Sequence, residues 1–218
     1  KFKLSKNKLL TTVAFKIHDK KMFCYEGSIF VAGSAIQWLR DKLNLFNKSS
    51  EINDLYNNHN IHEKITFIPA LTGLGAPYWN PSVRGAIFGL TRNTNAGDIL
   101  KATIESIAFQ TYDIIKCMEK DSGEKIREMR VDGGMVINKN FIQFLSNILK
   151  INILCPKNIE ITAIGVAYLA GLSSGIIKNT KEIDELWKFR NKFKPNELTR
   201  VRNMLINNWN YLIDKLIN

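Results

Sequence analysis

An α/β fold, a sheet with helices on both faces and an antiparallel hairpin at one side, is what this sequence predicts. Three observations lead there. From residue 66 onward, short runs of β-prone residues alternate with stretches of helical periodicity. The first 26 residues carry two extended runs separated by His18-Asp19-Lys20. One strand, 126–131, runs through Asp132-Gly133-Gly134 into a helix that starts near Asn138 or Lys139.

Residues 9–17 and 21–26 are the hairpin strands, with Phe23 and Tyr25 alternating with Cys24 as a half-buried strand requires. Gly27 ends the second strand. Residues 29–45 read as a helix with Ile36, Leu39 and Leu43 on one face. Gly33 falls inside that span, where glycine costs about 1 kcal/mol relative to alanine. Tight helix packing would account for it, and so would a close approach by backbone or ligand. Residues 47–64 are polar and Asn-rich, a short helix within a connection. His59 and His62 lie there with no cysteine close by, and they read as surface residues rather than a metal pair.

A strand over 66–70 leads into a Gly/Pro-rich loop carrying Tyr78 and Trp79, adjacent aromatics that need burial against the chain, a partner or a ligand. Residues 95–120 form a long helix opened by Asn95 and Asp98, with a wide apolar stripe from Ile99 to Ile115. Asp121-Ser122-Gly123 closes it. Glu105 on this helix reads as solvated or salt-bridged rather than catalytic. Helix 139–149 turns Phe141, Phe144, Leu145 and Ile148 to a core, and strand 151–155 ends at Pro156. Helix 161–175 is rich in small residues, which predicts close packing on a sheet. The last element, 197–216, is amphipathic with Trp209 and Leu212 inward.

At 218 residues the chain fits one domain, and 45% hydrophobic residues can fill a sizeable core. The net charge of +11 raises nucleic acid or an anionic membrane as partners. The 31 basic residues are 23 Lys and 8 Arg, however, and the lysines are scattered. Nucleic-acid readers lean on arginine and on concentrated patches. Lys, Asn and Ile together make up about a third of the chain, a bias expected of AT-rich coding DNA, so the charge reads as a solvated surface with neither nucleic acid nor membrane as partner. Cys24, Cys117 and Cys155 are widely separated and odd in number, which points to reduced thiols and a cytoplasmic setting. No apolar run approaches the ~18 residues that a spanning helix needs. Residue 1 is Lys rather than Met, and the expectation is a piece of something longer.

The glycine turn is the candidate site. Two glycines let the main chain bend sharply and leave it open to a flat ligand such as a nucleotide. The helix start beyond offers unpaired N–H groups, with Asn138 as cap or polar contact. A turn alone would also explain the pair. Ligands on open α/β sheets lie at strand C-terminal ends, where Gly133 and Gly134 fall.

Five blocks now converge: YEGSIFVAGSAIQWLRD, GLGAPYWNPSVRGAIFGLTR, ATIESIAFQT, RVDGGMVIN and EITAIGVAYLAG. In this order and spacing the chain resembles the FGGY carbohydrate kinases over nearly its whole length. The resemblance implies an actin-like ATPase (ribonuclease H-like) α/β domain, the C-terminal, nucleotide-binding half of such a kinase, over residues 1–218. It further implies ATP-dependent phosphorylation of a small polyol, with glycerol giving glycerol 3-phosphate as the nearest match, and Mg²⁺ as the accompanying ion. On that resemblance Gly33, Gln37, Gly134 and Asn138 contact the adenine nucleotide, while Asp132 acquires no catalytic role. The family's general base, metal-binding aspartate, polyol-gripping Arg-Glu pair and Gly-Thr-Gly turn have no counterpart here, so neither catalytic nor metal-ligating residues are assigned. Intact enzymes of this kind are compatible with homo-oligomers.

The same comparison implies that the domain lacks its first strand, which would lie between the hairpin and the parallel strands. Strands 9–17 and 126–132 would then each keep an unpaired edge. The expected consequence is poor stability, or closure of the gap by direct pairing of those two strands. A non-catalytic remnant or weak nucleotide-binding module of another FGGY kinase is the alternative, with a basic nucleic-acid binder a distant third.

Overall fold

The structure, a computed structural model, describes residues 2–17, 19–57, 64–158 and 160–218. His18, His59 and His62 lie outside them, so the reading of the histidine pair does too. Contacts divide the chain into two compact units, residues 1–126 with 197–218, and residues 127–196.

The first unit opens with β1 (Leu10–Ile17) and β2 (Lys20–Glu26), antiparallel with a bulge between Val13 and Phe15. Helix α1 (Gly33–Asp41) follows, then α2 (Ile52–Asn57). Strands β3 (Thr66–Ile68) and β4 (Ala86–Phe88) pair antiparallel across the Gly/Pro-rich loop. The unit is built around α3 (Ala96–Ser122), which packs against α1, α2 and β3. The final helix, α7 (Thr199–Ile217), returns to this unit and buries Ile206, Trp209 and Ile213, with Leu212 half-buried.

Local chemistry sets the limits of α3. Asn95 accepts from the Asp98 N–H at 3.0 Å while the Asp98 carboxylate accepts from the Asn95 N–H at 2.8 Å, a reciprocal cap. Gly123 ends the helix at φ 77°, a left-handed conformation that favours glycine. Asn95→Ala should cost about 1 kcal/mol, read from the urea midpoint; an unchanged midpoint would show that the cap is redundant. Glu105 meets Lys101 at 3.4 Å, so it is ion-paired as expected. Burial nonetheless pushes its carboxyl up, and Lys101 opposes that only in part.

The loop aromatics find partners within the unit. The Tyr78 hydroxyl donates to Asp113 on α3 at 2.9 Å, and the Trp79 indole N–H donates to the Lys8 carbonyl at 2.6 Å. The loop also lies tight against residue 28. Ala76 N–H donates to the Ser28 carbonyl at 3.0 Å, and a Cβ at Gly75 would collide with that oxygen. Helix α1 runs from Gly33 to Asp41, shorter at both ends than the span 29–45 expected from the sequence. Gly33 is therefore the first helical residue, and the interior-glycine penalty does not arise.

The second unit holds β5 (Glu128–Arg130), α4 (Lys139–Leu149), β6 (Asn152–Pro156), α5 (Ile161–Ser173), α6 (Thr180–Leu186) and β7 (Phe189–Phe193). β5 runs parallel to β6, and β7 antiparallel to it. The core is Phe141, Ile142, Leu145, Ile148 and Leu149 of α4 with Ile151, Ile153, Leu154 and Cys155.

Two readings need correction. Among the described residues the strands form three small sheets rather than one, because β3 pairs with β4 and β1 with β2. Helix 161–175 shortens to α5 and buries none of its residues, so its small side chains do not serve close packing on a sheet. Three elements, β4, α6 and β7, are missing from the sequence reading; over 176–196 Lys and Asn interrupt the apolar periodicity.

Candidate functional site

Gly33 and Gln37 sit on α1, four residues and about one turn apart. Gly33 is half-buried and Gln37 exposed. The residue before the helix, Ala32, has no side chain that can cap it. The first N–H groups of α1 thus lack the side-chain acceptor that most helix starts possess. These two residues belong to the first unit.

Gly134 and Asn138 belong to the second unit, and there the strand-to-helix path follows the expected course. Past β5, Val131 N–H still donates to the Leu154 carbonyl at 3.1 Å, and the chain then leaves the sheet. Gly133 turns it at φ 88°, where other residues are strained. Residues Gly134–Ile137 make a single 3₁₀ turn, and Asn138 begins α4. Asn138 Oδ1 accepts from the Phe141 N–H at 2.9 Å, so the asparagine is the cap anticipated from the sequence. The cap uses the oxygen, and the amide nitrogen brings two donors of its own.

The glycines differ in what demands them. Gly133 is required by its φ. Gly134 has no such need, and a Cβ built there would meet nothing within 4 Å. Beside it Ile137 is 68% exposed, a large apolar side chain on an otherwise open turn. Sequence reasoning passed over Ile137, although an isoleucine between a glycine pair and a helix cap was the available signal. Asp132 is exposed at the start of the turn. The arrangement offers bare main chain, an apolar side chain and an amide within five residues, which suits a flat heterocycle carrying polar edges. Among the described residues no group of three or more His, Cys, Asp or Glu is placed to hold a metal ion, and no helix is long and apolar enough to cross a membrane.

Comparison with known proteins gives this arrangement its context. The fold is that of sugar and polyol kinases: a ligand-bound xylulose kinase from Lactobacillus acidophilus superposes with a TM-score of 0.81 at 22% identity, over 96% of this chain and 42% of that one. Residues 3–174 match the profile of the FGGY family of carbohydrate kinases, C-terminal domain. The chain belongs to the FGGY family of carbohydrate kinases. It is 44% identical to a glycerol kinase of Ligilactobacillus salivarius over 97% of its own length, and 46% identical to one of Mycoplasmoides gallisepticum over 99%. A crystal structure of Plasmodium falciparum glycerol kinase with ADP has a TM-score of 0.90 and 34% identity over 100% of this chain and 44% of that one. The chain spans 42% and 43% of the length of those two bacterial relatives. The α/β, actin-like ATPase class expected from the sequence is the class observed.

Proposed function

We propose that the chain is the nucleotide-side portion of an ATP-dependent glycerol kinase, in which ATP and glycerol give ADP and glycerol 3-phosphate. The observation that carries the reading is Gly134, a glycine that neither backbone angle nor packing within the chain requires, flanked by exposed Ile137 and by Asn138. It gains weight from the likeness to a glycerol kinase crystallised with ADP.

In this reading the adenine lies flat on the main chain at Gly134 with Ile137 beside it, and the Asn138 amide nitrogen donates to the nucleotide while its oxygen holds α4. Phosphoryl transfer rests on positioning and on neutralising charge, which Mg²⁺ supplies when bound. The carboxylates that hold the ion, and the base that takes the hydroxyl proton of glycerol, are assigned to polypeptide outside this chain. The fragment alone is therefore expected to bind ADP weakly and to transfer no phosphate. A cytoplasmic setting fits its three unbridged cysteines.

Titration with ADP tests this. Gly134→Ala should leave the melting temperature unchanged, because the new Cβ meets open space, yet weaken ADP binding several-fold. Asn138→Asp keeps an oxygen for the cap and removes the amide donors, so it should also weaken ADP while sparing α4. Equal ADP affinity in both variants and the unaltered chain would sink the assignment. Robust glycerol phosphorylation by the purified chain would sink the division of labour.

A further inference from the structure

Where β6 ends and β7 begins, the second unit gathers positive charge around aromatic side chains. Pro156 closes β6, with a bulge between Cys155 and Pro156. The Lys157 N–H then donates to the Lys188 carbonyl at 3.0 Å, which ties the residue after β6 to the residue before β7. Helix α6 ends at Leu186, and Trp187, extended at φ −70° and ψ 121°, leads on towards β7. An open cavity of ≈ 660 Å³ lies at this junction, within the size range of small-molecule sites. Ile164 and Tyr168, one turn apart on α5, form its apolar and aromatic wall together with Trp187. Lys157, Lys188 and Arg190 bring three cations to the same cavity. Among the described residues no carboxylate lines it, and none of the three cations forms a salt bridge. Arg130 of β5, not itself a wall residue, lies over the Trp187 ring at 4.0 Å. An indole held in this way loses little freedom when a ligand packs on it.

We propose that this cavity binds a small aromatic anion, a flat ring bearing one phosphate, sulfonate or carboxylate group. Charge complementarity selects the anion. Three like charges converging on one cavity repel one another, and a bound anion turns that repulsion into charge-assisted hydrogen bonds. The indole and the phenol select the ring, because aromatic faces and edges pack best on other aromatic groups. An inorganic anion by itself would leave the apolar wall in water. A polynucleotide is a poorer occupant, since the cations line a concavity rather than a stripe along a surface. Neither Gly134 nor Asn138 lines the cavity, so this site does not depend on the nucleotide reading.

Phenyl phosphate is the probe, titrated into the isotope-labelled 218-residue chain and followed by NMR. The chain has four tryptophans, and Trp187→Phe identifies the Trp187 indole N–H signal. That signal should shift saturably at about millimolar probe, the range open to a ligand of this size. The signal of Trp209, buried in the first unit, should stay in place. Lys188→Ala with Arg190→Ala should weaken binding roughly tenfold. Both side chains are exposed, so the double variant should keep its circular-dichroism melt. Lys42→Ala with Arg200→Ala removes the same charge from exposed positions of the first unit and should leave binding unchanged. A Trp187 signal that shows no saturable shift overturns the proposal, as does undiminished affinity in the Lys188 and Arg190 double variant. Inorganic phosphate binding as tightly as the probe would reduce the site to its charges, and benzyl alcohol doing so would reduce it to its apolar wall. Either result overturns the assignment to an aromatic anion. Weaker probe binding in Gly134→Ala would put the probe on the glycine turn and equally overturn it, whereas ADP affinity insensitive to that substitution sinks only the nucleotide reading.

Discussion

Trp209→Ala is expected to remove about 3–5 kcal/mol of stability, a large share of what a domain of this size possesses. Trp209 is fully buried on α7 and stacks on Phe109 of α3, with ring centroids 5.1 Å apart and planes inclined by 16°. Its indole N–H donates to the Asp113 carboxylate at 2.9 Å. Truncation therefore opens a cavity the size of an indole, ends a ring–ring contact, and strips one donor from a buried carboxylate. The urea midpoint should fall accordingly, and the melting temperature by roughly 6–20 °C. Trp209→Phe keeps an apolar ring and loses the donor, so its cost should be clearly smaller. A loss under about 1 kcal/mol for Trp209→Ala would mean that the α7–α3 packing contributes little.

Trp209 also marks how much was legible in the sequence. Its burial followed from amphipathic spacing in residues 197–216, and the caps Asn95, Gly123 and Asn138 followed from residue type and position. These signals are local, and local signals survive without tertiary information. The close contact at Ser28 was not legible, because its partners, Gly75 and Ala76, lie some fifty residues away. Nor was the exposure of α5, since an apolar run reports that cover is needed and not whether the chain supplies it. At the candidate site the glycine pair and Asn138 were visible, whereas the distinction between a glycine held by φ and one facing open space needs coordinates. Asp113 was hidden for a related reason. A single acid in an apolar helix face looks like an interruption until Tyr78 and Trp209 arrive from distant parts of the chain.

The wild-type chain should lose stability relative to Asp113→Asn as pH rises from about 4 to about 6. Asp113 is 8% exposed, and burial pushes its carboxyl up to about 6, although hydrogen bonds from Trp209 and Tyr78 pull it down in part. An unfolded aspartate titrates near ~3.9. A folded pKa above the unfolded one means that the native state holds the proton more tightly. The group's contribution is thus fully present below about pH 4 and lost as pH climbs through 6, with a ceiling of about 3 kcal/mol over two units. Both donors address the same oxygen, Oδ2, so an asparagine carbonyl can accept from both and carries no charge to desolvate. Burial first, and the Asp113 charge after it, raises Tyr78, Tyr112 and Cys117, so they stay neutral across this range. Asp121, farther along α3, acts in the opposite direction. Burial would raise it, but Ser5 Oγ, the Lys6 N–H and the Asn7 amide hold its carboxyl below the usual value, so its contribution fades as pH falls. Absolute stability therefore mixes two opposed slopes, and the difference between wild type and Asp113→Asn isolates one of them. Urea midpoints of both proteins at pH 4.5, 5.5 and 7.5 should diverge in favour of the asparagine variant as pH rises. Parallel curves would mean that Asp113 titrates as an ordinary surface carboxylate and that the Tyr78–Asp113–Trp209 contact is not closed in solution.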